Sequence, residues 1–291
     1  MKFAHPLNRD ALMLAGVHIQ CLDERKEVIP GVTASGFIRR EGEGLYLYTC
    51  WHVVVGLGSP QDLNLNCPLP TRRHIRLSLW QGDSPVGSRN FSISGPQTLD
   101  LPLYDAFSPR RRPLWLQENA HVPNPDLNAI GLYAPYSIDA VKIRLPDELR
   151  VASAQTLDED RTLSATGLNP SPGEQCLVIG FPYGYKAFDG EMPYPIGLTR
   201  FFASRSSPFY WMLLDSPATA GMSGGPVMLE RDGELLLMGI YTGARFPDYG
   251  RGTNEKSTAL GLICNLRQVF SGRQLLVETP SQAVEPLGKW R

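Results

Sequence analysis

No run of about 18 consecutive apolar residues occurs in this 291-residue chain, so no membrane-spanning helix and no membrane partner are expected. Charge of one sign is also missing. Lys and Arg number 28 against 29 Asp and Glu, and a net charge of −1 leaves no general basic field for nucleic acid. Cysteine is sparse and odd in number: Cys21, Cys50, Cys67, Cys176 and Cys264. No two stand in CxxC spacing, and the Cys50/His52 pair has no second pair of ligands nearby, so no metal and no cofactor are expected. Widely spaced, unpaired thiols read as reduced and buried, which suits a cytoplasmic protein. The N-terminal stretch MKFAHPLNRDALML holds no apolar segment long enough for a secretion signal, being interrupted at Asn8-Arg9-Asp10. Asn90-Phe91-Ser92 therefore spells a glycosylation sequon without the compartment to use it. No internal repeat and no low-complexity segment appears.

What is present describes a globular chain long enough for one large or two moderate domains, with 42% hydrophobic and 20% charged residues. Gly (28) and Pro (25) are frequent enough to predict short elements joined by tight turns. Strand signals dominate. Leu14 to Ile19, Gly36 to Ile38, Leu45 to Thr49, Ile75 to Trp80 and Ala140 to Leu145 are apolar or alternate apolar and polar residues. In the last of these, Val141, Ile143 and Leu145 fall on one face, with Lys142 and Arg144 on the other. A second series comprises Cys176 to Gly180, Trp211 to Leu214, Leu235 to Tyr241 and Leu260 to Cys264. Short strands divided by turns argue for an all-β barrel or sandwich. Residues 81–135 are rich in Pro, Asn and Ser and poor in periodic runs, so a loop-rich insertion is expected there. The basic run Arg110-Arg111-Arg112, between two prolines, reads as a solvated loop.

Chemistry concentrates in Gly221-Met222-Ser223-Gly224-Gly225-Pro226-Val227. Glycines around one serine allow positive φ, close approach of a ligand, and backbone N–H groups converging on a small space. That arrangement suits an oxyanion hole. A serine hydroxyl needs a histidine base, and the histidine needs a carboxylate to hold its tautomer. Among five histidines, His52 closes the strand Leu45 to Thr49 and precedes Val53-Val54-Val55. No histidine follows Ser223, which argues against an α/β-hydrolase, whose histidine comes after its serine.

Thr49-Cys50-Trp51-His52-Val53-Val54 resembles the histidine segment of trypsin-like serine peptidases of the chymotrypsin fold, in the style of bacterial intracellular members. Gly221 to Pro226 resembles their G-x-S-G-G-P nucleophile segment. Ser35-Gly36-Phe37 is similar to the strand entering their first barrel, Gly180-Phe181-Pro182 to a G-x-P turn, and Gly239-Ile240-Tyr241-Thr242 to their substrate-facing strand. The resemblance spans about residues 14–267, in the order His, Asp, Ser. It implies two six-stranded antiparallel β-barrels with the active site between them. The first would occupy 12–150, with the 81–135 insertion, and the second 151–270, followed by a tail at 271–291.

The acid is open among Asp139, Asp100, Asp105 and Asp126. Asp139 resembles the family's D-x-A-x-x-x-L aspartate with one residue fewer before the alanine, and it alone opens a regular strand, although 87 residues separate it from His52. By the same resemblance the oxyanion donors are the N–H groups of Gly221 and Ser223. Thr219, Ala220, Tyr241, Thr242, Gly243 and Gly261 would frame the substrate pocket. No carboxylate occupies 217–220, so small or medium apolar side chains are expected there rather than basic ones. Met222 stands where zymogen-activated relatives carry an aspartate for a new N-terminal amine, so activity is constitutive or set by a protein partner. The expected function is a serine endopeptidase acting on a peptide or protein substrate. The alternative is a silent or partner-activated barrel that binds peptide or protein.

Overall fold

The computed structural model describes residues 13–56, 72–82, 93–105, 113–117, 139–152, 155–157, 169–184, 194–205, 211–232, 234–245 and 260–265. The strands are β1 (Gly16–Leu22), β2 (Val28–Glu41), β3 (Gly44–Thr49), β4 (His74–Gly82), β5 (Ile93–Pro102), β6 (Leu116–Gln117) and β7 (Val141–Arg144). They continue with β8 (Thr156–Leu157), β9 (Gln175–Gly180), β10 (Ile196–Arg205), β11 (Trp211–Leu214), β12 (Pro226–Arg231), β13 (Glu234–Arg245) and β14 (Leu260–Asn265). Among the described residues the α-helical element is the five-residue α1 (Trp51–Val55), and a 3-10 turn covers Pro182–Gly184.

Two sheets result. The second closes as β10-β11-β14-β13-β12-β9, a six-stranded antiparallel barrel. The first is a curled eight-stranded sheet in the order β5-β4-β1-β2-β3-β7-β6, with β8 added parallel to β2. The all-β, two-barrel architecture is thus present, with the first half a curled half-barrel rather than a closed six-stranded cylinder among the described residues.

The additional strands come partly from the stretch read as loop-rich. β5 lies inside 81–135 and pairs with β4 from His74↔Pro102 to Gly82↔Ile93. Its sequence, ISGPQTLDLP, carries two prolines, and the pairing shifts register at Trp80/Gln81, so the two-residue period that marks a strand is broken. β6, also inside that stretch, pairs with β7 beyond it. β8 lies beyond residue 150, so the first sheet reaches past the boundary expected there. Residues 271–291 lie outside the described residues.

Alternation places the core. Val17, Ile19 and Cys21 of β1 and Ile75, Leu77 and Leu79 of β4 are fully buried in one cluster of the first sheet. Inside the barrel Val178, Phe202, Leu214, Val227, Met238, Tyr241 and Ile263 form a second. β13 is apolar on both faces for a reason: Leu236 and Met238 fill the barrel, while Leu235, Leu237 and Ile240 join the first cluster. The two halves therefore share one apolar boundary. Lys142 and Arg144 share the other face of β7, yet Lys142 is buried and ion-paired with Glu41 at 2.7 Å, whereas Arg144 is exposed.

Candidate active site

α1 begins where β3 ends. Cys50 occupies its N-cap with extended backbone, and Gly56 ends it at φ 87°, a left-handed conformation that glycine adopts without steric cost. Four apolar side chains of this turn, Trp51, Val53, Val54 and Val55, are buried, which rotates His52 to the open side. The Arg72 guanidinium donates to the Val53 carbonyl and to the His52 carbonyl, which also accepts the Gly56 N–H at 3.0 Å, placing a cation at the helix C-terminus.

Asp139, just ahead of β7, holds His52 twice. Its Oδ2 lies 2.8 Å from His52 Nδ1, and its Oδ1 accepts the backbone N–H of His52 at 3.0 Å. A carboxylate can only accept, so Nδ1 carries the proton of this hydrogen bond. The side chains are 20% and 12% exposed, so the pair is sheltered but open at the histidine. Asp100 makes a different pair, donated to by Arg76 Nε at 2.7 Å and Nη2 at 2.8 Å. Asp105 follows the isolated Tyr104–Pro113 bridge, and Asp126 lies outside the described residues.

Ser223 is half-buried at the head of β12, between Gly221 and Gly224, both at φ 90°. These glycines are required twice over. A Cβ at Gly224 would overlap the Ser35 carbonyl oxygen and the Thr49 hydroxyl, and one at Gly221 would overlap the Phe181 carbonyl oxygen. The serine turn therefore packs directly on Thr49, three residues before His52, and on Ser35 of β2. Ser35 ties it down. Its N–H donates to the Ser223 carbonyl at 2.8 Å, its hydroxyl donates to the Gly221 carbonyl at 2.7 Å, and that hydroxyl accepts the Phe181 N–H at 3.0 Å. Thr49 donates to the Ser35 carbonyl at 2.9 Å.

Two peptide planes here are fixed through their carbonyls. The Ala220 carbonyl accepts the Tyr183 N–H at 2.7 Å, and the Met222 carbonyl accepts the Gly225 N–H at 3.0 Å. In a trans peptide the N–H points opposite to the C=O, so the N–H groups of Gly221 and Ser223 are turned away from those donors. Neither is given a protein acceptor among the described residues, which leaves both as donors for a ligand.

Sulfur, imidazole and carboxylate ligand atoms of Cys50, His52 and Asp139 lie within 4.8 Å of one another. The donor chemistry does not suit a metal. Cys50 is fully buried and donates to the Tyr241 carbonyl at 3.3 Å, and burial first, then Asp139 and Cys264, push its thiol well above the ordinary range. A metal needs the thiolate, and Asp139 is already spent on His52.

Of the expected pocket residues, Thr219 is half-buried and Ala220 exposed, both before the serine turn. Tyr241 and Thr242 are buried, Thr242 donating to the Leu262 carbonyl at 3.1 Å. Gly243 takes a positive φ of 145°, and Gly261 lies against the Ser216 carbonyl, where a Cβ would come within 2.7 Å. Sequence reasoning took Ser35 only as part of a strand and passed over Tyr183 and Arg72. A serine beside glycine in a strand is a common pattern, and nothing local says that its hydroxyl crosses to the other half.

No family model matches this chain, and no curated protein matches it. Among solved structures it is similar to a serine endoprotease from Yersinia pestis at 14% identity and a TM-score of 0.45, over 89% of this chain. The chain spans 62% of the length of that neighbour.

Proposed function

We propose that this chain is a serine endopeptidase with Ser223 as nucleophile, His52 as general base and Asp139 as the group that orients it. The observation that carries the reading is the double grip of Asp139 on His52, through Nδ1 and through the backbone N–H. That grip leaves no freedom to the ring tautomer, which is what a base for a serine hydroxyl requires. In this mechanism Ser223 Oγ bonds to the scissile carbonyl carbon as its proton passes to His52 Nε2. The N–H groups of Gly221 and Ser223 receive the developing oxyanion. The C–N bond then breaks, His52 returns the proton to the leaving amine, and water activated by the same histidine releases the acyl group. Buried Cys21, Cys50 and Cys176, none of them in a disulfide, support a reducing, cytoplasmic setting. No helix among the described residues is long and apolar enough to cross a membrane.

The test is labelling of the purified protein with a fluorophosphonate probe, beside Ser223→Ala and His52→Ala. Labelling of the wild type that disappears in both variants is expected. A folded wild-type protein that takes no label would overturn catalysis and favour a module that binds peptide without cutting it.

A further inference from the structure

The nucleophile's loop closes over one aromatic side chain. The Tyr241 main chain joins the residues just after Ser223: its carbonyl accepts the Gly224 N–H at 2.8 Å, and its N–H donates to the Gly225 carbonyl at 2.9 Å. Its side chain reaches the residues before Ser223. The phenol oxygen accepts the Ala218 N–H at 2.9 Å and donates to the Ala218 carbonyl at 3.3 Å. The ring therefore runs beneath the loop from 218 to 225. It is 2% exposed and packs in the barrel cluster with Met222, itself fully buried, and Ala218.

The residues before Ser223, Thr219 and Ala220, and the strand residues Tyr241, Thr242 and Gly243 are expected to frame one substrate pocket. The ring of Tyr241 occupies the interval between them and is bonded to the far wall at both polar atoms of Ala218. Burial pushes the phenol up to about 12, so it keeps its proton and can hold both bonds at any physiological pH. The wall is braced from its other side by Arg200, whose Nε and Nη2 donate to the Pro217 carbonyl at 3.1 and 2.9 Å. A side chain entering that pocket meets a filled floor, and the Arg200 charge, close enough to act on the Tyr241 phenol, disfavours a second cation beside it.

We propose that Tyr241 is a specificity-determining plug rather than a substrate-lining wall, and that it restricts cleavage to peptides whose residue before the scissile bond is small and uncharged, no larger than valine. The inference rests on the endopeptidase reading. An aromatic or long aliphatic side chain at that position could enter only by displacing a buried, doubly bonded ring, and cores packed to interior density do not yield that space cheaply.

The experiment uses the full chain and peptidyl diphenyl phosphonates that differ only in the residue mimicking the one before the scissile bond. Alkyl fluorophosphonate, which carries no such side chain, runs in parallel. Wild type is expected to be inactivated at least ~100-fold faster by the alanine or valine compound than by the phenylalanine compound. Tyr241→Ala is expected to bring that ratio within about tenfold, by opening the floor. Tyr241→Phe, which loses only the Ala218 bonds, should keep the preference for small residues, because the ring still fills the space. Should Tyr241→Ala not fold, the wild-type series and Tyr241→Phe decide the matter. Fluorophosphonate labelling of Ser223 together with equal or faster reaction of the phenylalanine compound would overturn the plug and leave the endopeptidase reading standing. Loss of the small-residue preference in Tyr241→Phe would overturn it too, by reducing Tyr241 to a loop clamp. Failure of fluorophosphonate to label would overturn both.

Discussion

The hydroxyl of Ser35 donates to the carbonyl of Gly221 at 2.7 Å, a hydrogen bond that joins the curled first sheet to the turn that carries Ser223 in the second half. The same oxygen accepts the Phe181 N–H at 3.0 Å, and the Ser35 N–H holds the Ser223 carbonyl at 2.8 Å. One fully buried serine thus ties both halves of the chain to the residue proposed to do the chemistry.

Ser35→Ala removes the hydroxyl and leaves a buried N–H and a buried carbonyl without that partner. A loss of about 1–3 kcal/mol in unfolding free energy is expected. Ser223 labelling should slow by more than the loss of folded protein explains, because the Gly221 peptide is no longer braced. Urea denaturation alongside fluorophosphonate kinetics measures both. An unchanged labelling rate per folded molecule would mean that Ser35 matters to stability alone.

Gly224 and Gly173 separate backbone strain from lack of room. Both have nearly the same positive φ, 90° and 88°, but a Cβ at Gly173 meets nothing within 4 Å while one at Gly224 overlaps Ser35 and Thr49. Gly173→Ala should cost about 1 kcal/mol, the price of left-handed backbone in a residue with a Cβ. Gly224→Ala should cost several times that, or prevent folding, since the atoms in its way include main chain. Thermal melts of the two variants compare them directly, and equal losses would contradict the crowding seen at Gly224.

Asp139→Asn tests how the histidine is held. An asparagine can still accept the His52 backbone N–H through its oxygen, so the fold should persist. Its amide then offers a donor where Nδ1–H needs an acceptor, which favours the wrong tautomer. A drop of about 10⁴-fold in turnover is expected. Circular dichroism and labelling kinetics together read the result. Activity within tenfold of wild type would remove Asp139 from the mechanism.

Asp100 gives a prediction about acid. Its hydrogen bonds to Arg76 hold its carboxyl below the usual range. A folded-state value below the unfolded one stabilises the protein above the unfolded value and is lost as pH falls through the folded one. Asp100→Asn should therefore cost about 0.5–1 kcal/mol at neutral pH, as a partly exposed pair does. The gap from wild type should narrow as pH drops from about 4. Urea midpoints at pH 7 and pH 3.5 check it, and a gap that stays constant would show that the pair carries no net stabilisation. Ser223 labelling at pH 7 should not change.

Thiol reactivity offers a check on the core. Burial raises the thiols of Cys21, Cys50 and Cys176, the last to about 12 with a contribution from Glu174. Native protein at pH 8 should therefore present at most one thiol, Cys67, to Ellman's reagent, and all five once unfolded. Rapid reaction of two or more in the folded state would contradict this packing.

Much of this arrangement could be read along the chain, because the information is local. Glycines flanking Ser223 announce a turn of positive φ, period-2 runs such as Ile75 to Trp80 announce half-buried strands, and the apolar residues after His52 announce a turn that buries one side. β5 was hidden because two prolines and a register shift disrupt its period. Several decisions belonged to tertiary structure. Asp139 pairs with His52 across 87 residues while Asp100 goes to Arg76, a choice set by β7 lying beside β3 and by β5 lying beside β4. Ser35 reaches Gly221 across 186 residues, and Tyr241 turns its ring under the loop instead of along its wall. Sequence alone determined which residue types could do the chemistry and the local backbone that presents them. Which side chains meet was decided only when the strands paired, because a contact between distant segments depends on register and packing that no short window of residues contains.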